Sequence, residues 1–301
     1  MNSVRRGGST RVQMRKGMAS APAPLEPGTP PPQPEDYAEF LRITLPQQAK
    51  QVASHRFGNE RVWLKKAGPR HGKLRYHLLA AIAGTLRLDV LSPVPNPGGE
   101  AAIEIEARRL KALGDAGLRV PAVLAQQPDG LLISDLGESG RPSVVLQERL
   151  DQAAAAGPAA LLAVWHDGLD AIATVHARDA YLSQAFDRNM VQCPDGTIGY
   201  IDFEDDPGET LPLAECQARD WLSYLHSTAM LVDAASPHAA ATHWHGVLAD
   251  ASDDVRARLA VAARRMRWLR HLPSGRRWGR DTQRVRAVAS LLARWYGSEP
   301  R

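Results

Sequence analysis

The sequence predicts an α+β fold of two lobes, a small strand-rich N-terminal lobe and a large helical C-terminal lobe. Three patterns lead there. Between Val52 and Asp135, short runs such as Arg61-Val-Trp-Leu-Lys65-Lys66 suit strands, whose side chains alternate between two faces. From about Gln147 onward, apolar residues recur at helical spacing over long runs. One hairpin pattern interrupts those helices, from Asn189 through the turn at Asp195-Gly196 to Ile201-Asp202-Phe203-Glu204. The predicted division is a tail over residues 1–35, an N-terminal lobe over 36–136 and a helical lobe over 137–301, crossing near Leu136-Gly137.

The first 35 residues carry Arg5, Arg6, Arg11, Arg15 and Lys16, no acid before Glu26, and the proline-rich run from Pro22 to Pro34. Such a segment buries too little apolar surface to order itself, which predicts a disordered basic tail. Glu35 to Gln51 reads as helical near its end. Strands follow at His55 to Glu60 and Arg61 to Lys66, with Val62 and Leu64 on one face and Trp63 and Lys65 on the other. Leu74 to Leu91 reads as a helix, broken by the three prolines and two glycines of Ser92 to Gly99. Glu100 to Gly114 is predicted helical, with an apolar stripe of Ile103, Ala107, Leu110 and Leu113. Ala125 to Gly130 reads as a turn between strands at Ala122 to Leu124 and Leu131 to Asp135. Four further helices are predicted over Leu161 to His176, Leu213 to Val232, Val255 to Leu272 and Thr282 to Tyr296.

The 301 residues, 44% apolar and 23% charged, are those of an ordinary globular chain. Two cysteines, Cys193 and Cys216, supply no disulfide framework or thiolate metal site, which fits a reducing cytoplasm. No run of about eighteen apolar residues and no secretory pattern is present, so neither export nor membrane spanning is expected. The charge is uneven, however. Between Val255 and Gly297 there are twelve arginines and one acid, Asp281, with Trp268, Trp278 and Trp295 interspersed. Fixed positive charge beside tryptophan suits an anionic membrane surface or a phosphorylated saccharide, and a plain solvated face is the alternative. No sequence-reading unit accompanies it, so no specific nucleic acid is expected.

The hairpin carries the most chemistry. Asn189 offers a neutral oxygen and Asp202 a charged one, and the turn brings the two together. Magnesium suits such a sparse all-oxygen set, completing its shell with substrate phosphates. The plainer reading is a surface hairpin with polar ends in water. Upstream, a lysine on a strand could meet phosphate, and alternation selects Lys65 over Lys66 because Lys66 shares the face of Val62 and Leu64. A carboxylate on the following helix, Glu104 or Glu106, would aim the lysine ammonium.

The order Lys65, Glu106, Asn189, Asp202-Phe203-Glu204 and Asp220 in Ala218-Arg-Asp220-Trp resembles the protein-kinase-like superfamily. The nearest branch is that of bacterial lipopolysaccharide-core kinases and small-molecule phosphotransferases, and the likeness runs from about Arg61 to Tyr224. It implies a bilobal protein-kinase-like fold and an ATP- and Mg2+-dependent kinase acting on a sugar or glycolipid hydroxyl. The setting would be lipopolysaccharide synthesis, in the cytoplasm or peripherally at the inner membrane. It further implies that Lys65 and Glu106 position nucleotide phosphates, Asn189 and Asp202 hold the metal, and Asp220 anchors the catalytic loop.

Two departures stand out. Only Gly58 occupies the place of the family's glycine-rich loop, and Gln184 stands five residues before Asn189, where the family has its catalytic aspartate. An amide can orient a hydroxyl but cannot take its proton as a carboxylate does. Asp187 and Asp179 are candidate substitutes, and Arg188 is a candidate for holding phosphate or pairing with Asp202 or Asp220. Glu204 and Asp205 either assist at the metal or narrow the approach of an acidic substrate. His176, at a helix end, reads as a structural residue rather than a ligand. The alternative function is a catalytically inactive kinase-like scaffold that binds nucleotide, a partner or a membrane.

Overall fold

Helix α1, Pro34–Thr44, opens the computed structural model, which describes residues 33–68 and 98–297. Most of the basic tail, the helix expected over Leu74 to Leu91 and most of the breaker after it lie outside the described residues. The helix expected near the end of Glu35 to Gln51 instead occupies its beginning. Pro34 suits the first helical position, Glu35 and Asp36 favour the positive helix end, and Asp36 accepts a 2.8 Å hydrogen bond from the Gln33 amide. Pro46 then sits in a 3₁₀ turn over Leu45–Gln47.

Strands β1 (Val52–Phe57) and β2 (Glu60–Lys66) form a hairpin whose two-residue turn places Gly58 at φ 60°. Helix α2, Gly99–Asp115, follows, then β3 (Val123–Gln127) and β4 (Gly130–Ser134). The turn expected over Ala125 to Gly130 is shorter, because β3 pairs with β4 as far as Gln127↔Gly130. All pairs are antiparallel, in the order β1-β2-β4-β3.

Alternation divides this sheet into two unlike faces. Val62, Leu64 and Leu132 pack under Leu41 and Leu45, forming a small apolar cluster of their own. Leu131 and Ile133 face the other way and join Ile103, Ala107, Leu110 and Leu113 of α2. The apolar stripe of α2 is therefore its buried face.

A second sheet, β5-β6-β7, combines Val144–Val145, Met190–Gln192 and Ile198–Tyr200. The rest is helical: α3 (Leu146–Ala156), α4 (Pro158–His176), α5 (Leu213–Ala235), α6 (Pro237–Ala249), α7 (Asp253–Met266) and α8 (Arg280–Trp295). The architecture is thus α+β, with a sheet-containing N-terminal region and a helix-rich C-terminal region. Two helices lie in the stretch expected to be mostly helical from about Gln147 without expected bounds of their own, α3 and α6. Ala240, Trp244 and Leu248 make the buried stripe of α6, but alanine and histidine on its other faces blur the pattern. Among the described residues no helix is long and apolar enough to cross a membrane.

Trp165, Tyr224 and Trp221 are almost completely buried at the centre of the helical region. The Tyr224 hydroxyl donates to Trp165 O at 3.0 Å, and the Trp165 indole donates to Thr228 Oγ1 at 3.0 Å. This fixes the tyrosine against Gly168, where an added Cβ would lie 2.1 Å from the phenolic oxygen. Gly168→Ala is expected to cost about 1–3 kcal/mol through overpacking. Gly246→Ala on α6, where a Cβ meets nothing within 4 Å, is expected to be neutral or to stabilise by up to about 1 kcal/mol. Urea unfolding of both variants checks the contrast; equal midpoints would contradict the packing described.

Candidate functional site

A cavity of about 510 Å³ opens between the two sheets. Val52, Trp63, Ile133 and Leu136 line one side of it, and Val145, Val191 and Ile201 the other. Lys65, Glu106, Arg188, Asn189 and Asp202 supply its charged and polar wall, together with Asp135, which accepts a 2.9 Å hydrogen bond from the Trp63 indole.

Lys65 reaches this space because it shares the face of β2 that carries Trp63, opposite Val62 and Leu64. Its ammonium donates to Glu106 Oε1 at 2.8 Å and lies 2.6 Å from Oε2, which forms the ion pair without hydrogen-bond alignment. It also meets Asp202 Oδ1 at 3.1 Å and Glu204 Oε1 at 3.5 Å. Glu106 comes inward because it follows Ile103 by three residues on the buried face of α2, while its rival Glu104 is exposed. The pair is almost dry, with side-chain exposures of 9% for Lys65 and 1% for Glu106. Burial works against the Lys65 charge, but Glu106, Asp202 and Glu204 hold its pKa above the ordinary lysine value. Burial raises the Glu106 pKa, and Lys65 opposes that rise.

The hairpin β6–β7 joins the two candidate metal ligands. Met190 pairs with Tyr200, and the Ile201 amide donates to Asn189 O at 3.0 Å, so Asn189 and Asp202 end adjacent strands. Asn189 donates through Nδ2 to Gln184 O at 3.1 Å, and its Oδ1 accepts no hydrogen bond among the described residues. Asp202 has φ 72°, a left-handed conformation that aspartate adopts more readily than most residues, and its side chain is 45% exposed. Among the described residues no three His, Cys, Asp or Glu side chains are arranged to hold a metal ion. A hydrogen-bond-free amide oxygen beside a half-exposed carboxylate is a different, sparser set, and its chemistry fits magnesium.

Residues 177–189 lead into this hairpin under restraint from α5. Asp220, fully buried, accepts from the Leu182 amide at 2.7 Å and lies 3.1 Å from His176 Nε2. Gln217 adds bonds to the carbonyls of Ala180 and His176. His176 thus has a structural partner on α5. Asp179 and Ser183 take positive φ here.

The three catalytic candidates are placed differently. Gln184 donates through Nε2 to Asp205 Oδ2 at 2.6 Å and does not line the cavity. Asp187 is buried against α5, its amide donating to Ser227 Oγ at 3.1 Å, and it also stays outside the lining. Burial raises the Asp187 pKa. Arg188 does line the cavity, but it lies over the Phe186 ring at 4.3 Å and pairs with neither Asp202 nor Asp220. Gly58 remains in its hairpin turn, outside the lining. Sequence reasoning missed two contacts, Glu204 to Lys65 and Asp205 to Gln184, since nothing local announces pairs so far apart in the chain.

Lys65→Met should leave Glu106 buried without its counter-charge and lower stability by about 3 kcal/mol. Lys65→Met/Glu106→Leu should recover most of that loss, because it removes both charges from an apolar setting. Chemical denaturation of the four proteins of the cycle measures the coupling, and additive losses would contradict the pairing. No family model and no curated protein matches this sequence, so its function has to be read from the geometry of the site.

Proposed function

We propose that the chain is a protein-kinase-like phosphotransferase that uses ATP with Mg2+ and phosphorylates a hydroxyl of a sugar or glycolipid. The observation that carries this reading is the Lys65 ammonium, fixed by Glu106 and touching Asp202 at 3.1 Å, in a cavity that also presents Asn189. A nucleotide needs an aimed cation for its phosphates and an apolar slot for its base. Lys65 supplies the first, and Val52, Ile133, Leu136 and Val191 line the second.

The Glu106 contact aims the ammonium, so that less rotamer freedom is lost when phosphate arrives. Asn189 Oδ1 and the Asp202 carboxylate are the oxygens that would hold magnesium, which supplies charge neutralisation at the phosphates when bound. Arg188 lines the same cavity and offers guanidinium donors to an anionic group. Gln184 has spent its Nε2 on Asp205, and its Oε1 can accept a hydrogen bond from the acceptor hydroxyl without removing the proton. Phosphoryl transfer through a loose transition state asks little of a base, so positioning carries most of the rate.

A second reading, nucleotide binding without transfer, is favoured by one observation. The only carboxylate on the loop between Ala180 and Asn189, Asp187, faces α5 instead of the cavity. Calorimetric titration with ATP, with and without Mg2+, tests what the two readings share. Metal-dependent binding is expected and should be lost in Asp202→Ala; folded protein that binds no nucleotide at millimolar concentration would overturn both.

Turnover separates them. Phosphate incorporated into a cell-envelope extract, detected by mass spectrometry and abolished by Asp202→Ala, supports transfer. On that reading Gln184→Ala should lower turnover modestly, whereas Asp187→Asn should change nucleotide affinity little. Bound ATP with no product at any acceptor concentration leaves the binding-only reading.

A further inference from the structure

The corner between α7 and α8 carries charge and aromatic surface that the cavity does not use. A 3₁₀ turn over Arg267–His271 continues α7, and a second over Arg276–Trp278 precedes α8. Met266 and Leu269 anchor the first turn in the core. Beyond them the chain stands in solvent: Arg270, His271, residues 273–275 and residues 277–281 are all exposed. Trp268 and Trp278, at 56% and 51%, are the two most exposed large hydrophobic side chains among the described residues. Leaving two indoles in water at one corner is unfavourable for a free surface.

The charge around them is unbalanced. Arg264, Arg265, Arg267 and Arg270 are exposed on the α7 side, and Arg277 and Arg280 on the α8 side. None of the six makes an ion pair with a described carboxylate, although arginines elsewhere on the surface do so, such as Arg256 with Asp253 and Arg108 with Glu209. Asp281, the one acid in the sequence between Val255 and Gly297, is engaged by Arg284 at 3.5 Å.

We infer that this corner docks on an anionic phospholipid surface, with Trp268 and Trp278 entering the headgroup layer and the unpaired arginines meeting lipid phosphates. Indoles favour that layer because their rings are apolar and their N–H groups polar. Arginine holds phosphate through paired donors, and adjacent basic residues add to the attraction. A single-stranded nucleic acid would want a basic groove with open ring faces for stacking. Here the surface is an outward corner, and Arg277 lies over the Trp278 ring at 5.6 Å. The inference is independent of phosphoryl transfer.

Co-sedimentation of the full chain with vesicles tests it, using phosphatidylcholine alone and with about 30 per cent phosphatidylglycerol at about 0.15 M salt. Binding to the anionic vesicles is expected, weaker by about tenfold or more in Trp268→Ser/Trp278→Ser and in Arg267→Gln/Arg270→Gln. All four positions are exposed, so circular dichroism should be unchanged. Equal binding by wild type and the tryptophan variant would overturn the inference and assign the affinity to another basic segment. Displacement of the wild type from vesicles by an equal mass of poly-uridine would overturn it in favour of nucleic acid.

Discussion

A charged pair in a nearly dry setting organises this molecule. Lys65 and Glu106 come from a strand and a helix 41 residues apart, and each would be costly to bury alone. Their contact therefore sets the rotation of α2 against the sheet. That rotation also sends Ile103 and Leu110 into the same core as Leu131 and Ile133. The apolar stripe and the ion pair are two consequences of one helix phase. Because Asp202 and Glu204 also reach Lys65, the pair ties the first sheet to the end of the hairpin in the second.

The second constraint is Asp220, which works through backbone. A carboxylate with no solvent exposure must find donors in the protein, and the Leu182 amide and His176 ring provide them. Through Leu182 this holds the loop that ends at Asn189. The loop contains two non-glycine residues with positive φ, Asp179 and Ser183, whose strained backbone persists only where surrounding bonds over-determine it. The site is thus supported from beneath by α5 and from the side by the hairpin register.

What could be read from the sequence was what local periodicity encodes. Two-residue alternation separated Lys65 from Lys66, whereas Glu106 stood beside its rival Glu104 until the buried face of α2 decided between them. The turn at Asp195-Gly196 gave the pairing that sets Asn189 beside Ile201 and Asp202. Tertiary partners were not legible. The contact of Gln184 with Asp205 depends on how two loops cross, and that of Asp187 with Ser227 on where α5 runs. Arg188 stacks on Phe186, two residues away, a contact set by the local turn of the loop. Helix α1 was misplaced because its start is set by Pro34 and Asp36, a capping pattern rather than a periodic one. The bounds of helix α6 were not legible because its alanines and histidines give it little contrast between faces.

The two faces of the first sheet are covered very unequally, and that has a dynamic consequence. Above β2, α1 itself buries only Leu41, whereas α2 buries seven side chains and α5 eleven. Helix α1 can therefore lift away in a local opening while the core beneath the opposite face stays closed. Amide hydrogens of α1 will then exchange with solvent through that partial opening, and those of α2 and α5 through global unfolding. Lifting α1 bares Val62 and Leu64, the two neighbours that set which way β2 turns Lys65. The strand that presents the lysine is thus backed on one face by the helix of the three that buries least, while its pairing with β4 and the Lys65–Glu106 contact hold it to the larger core.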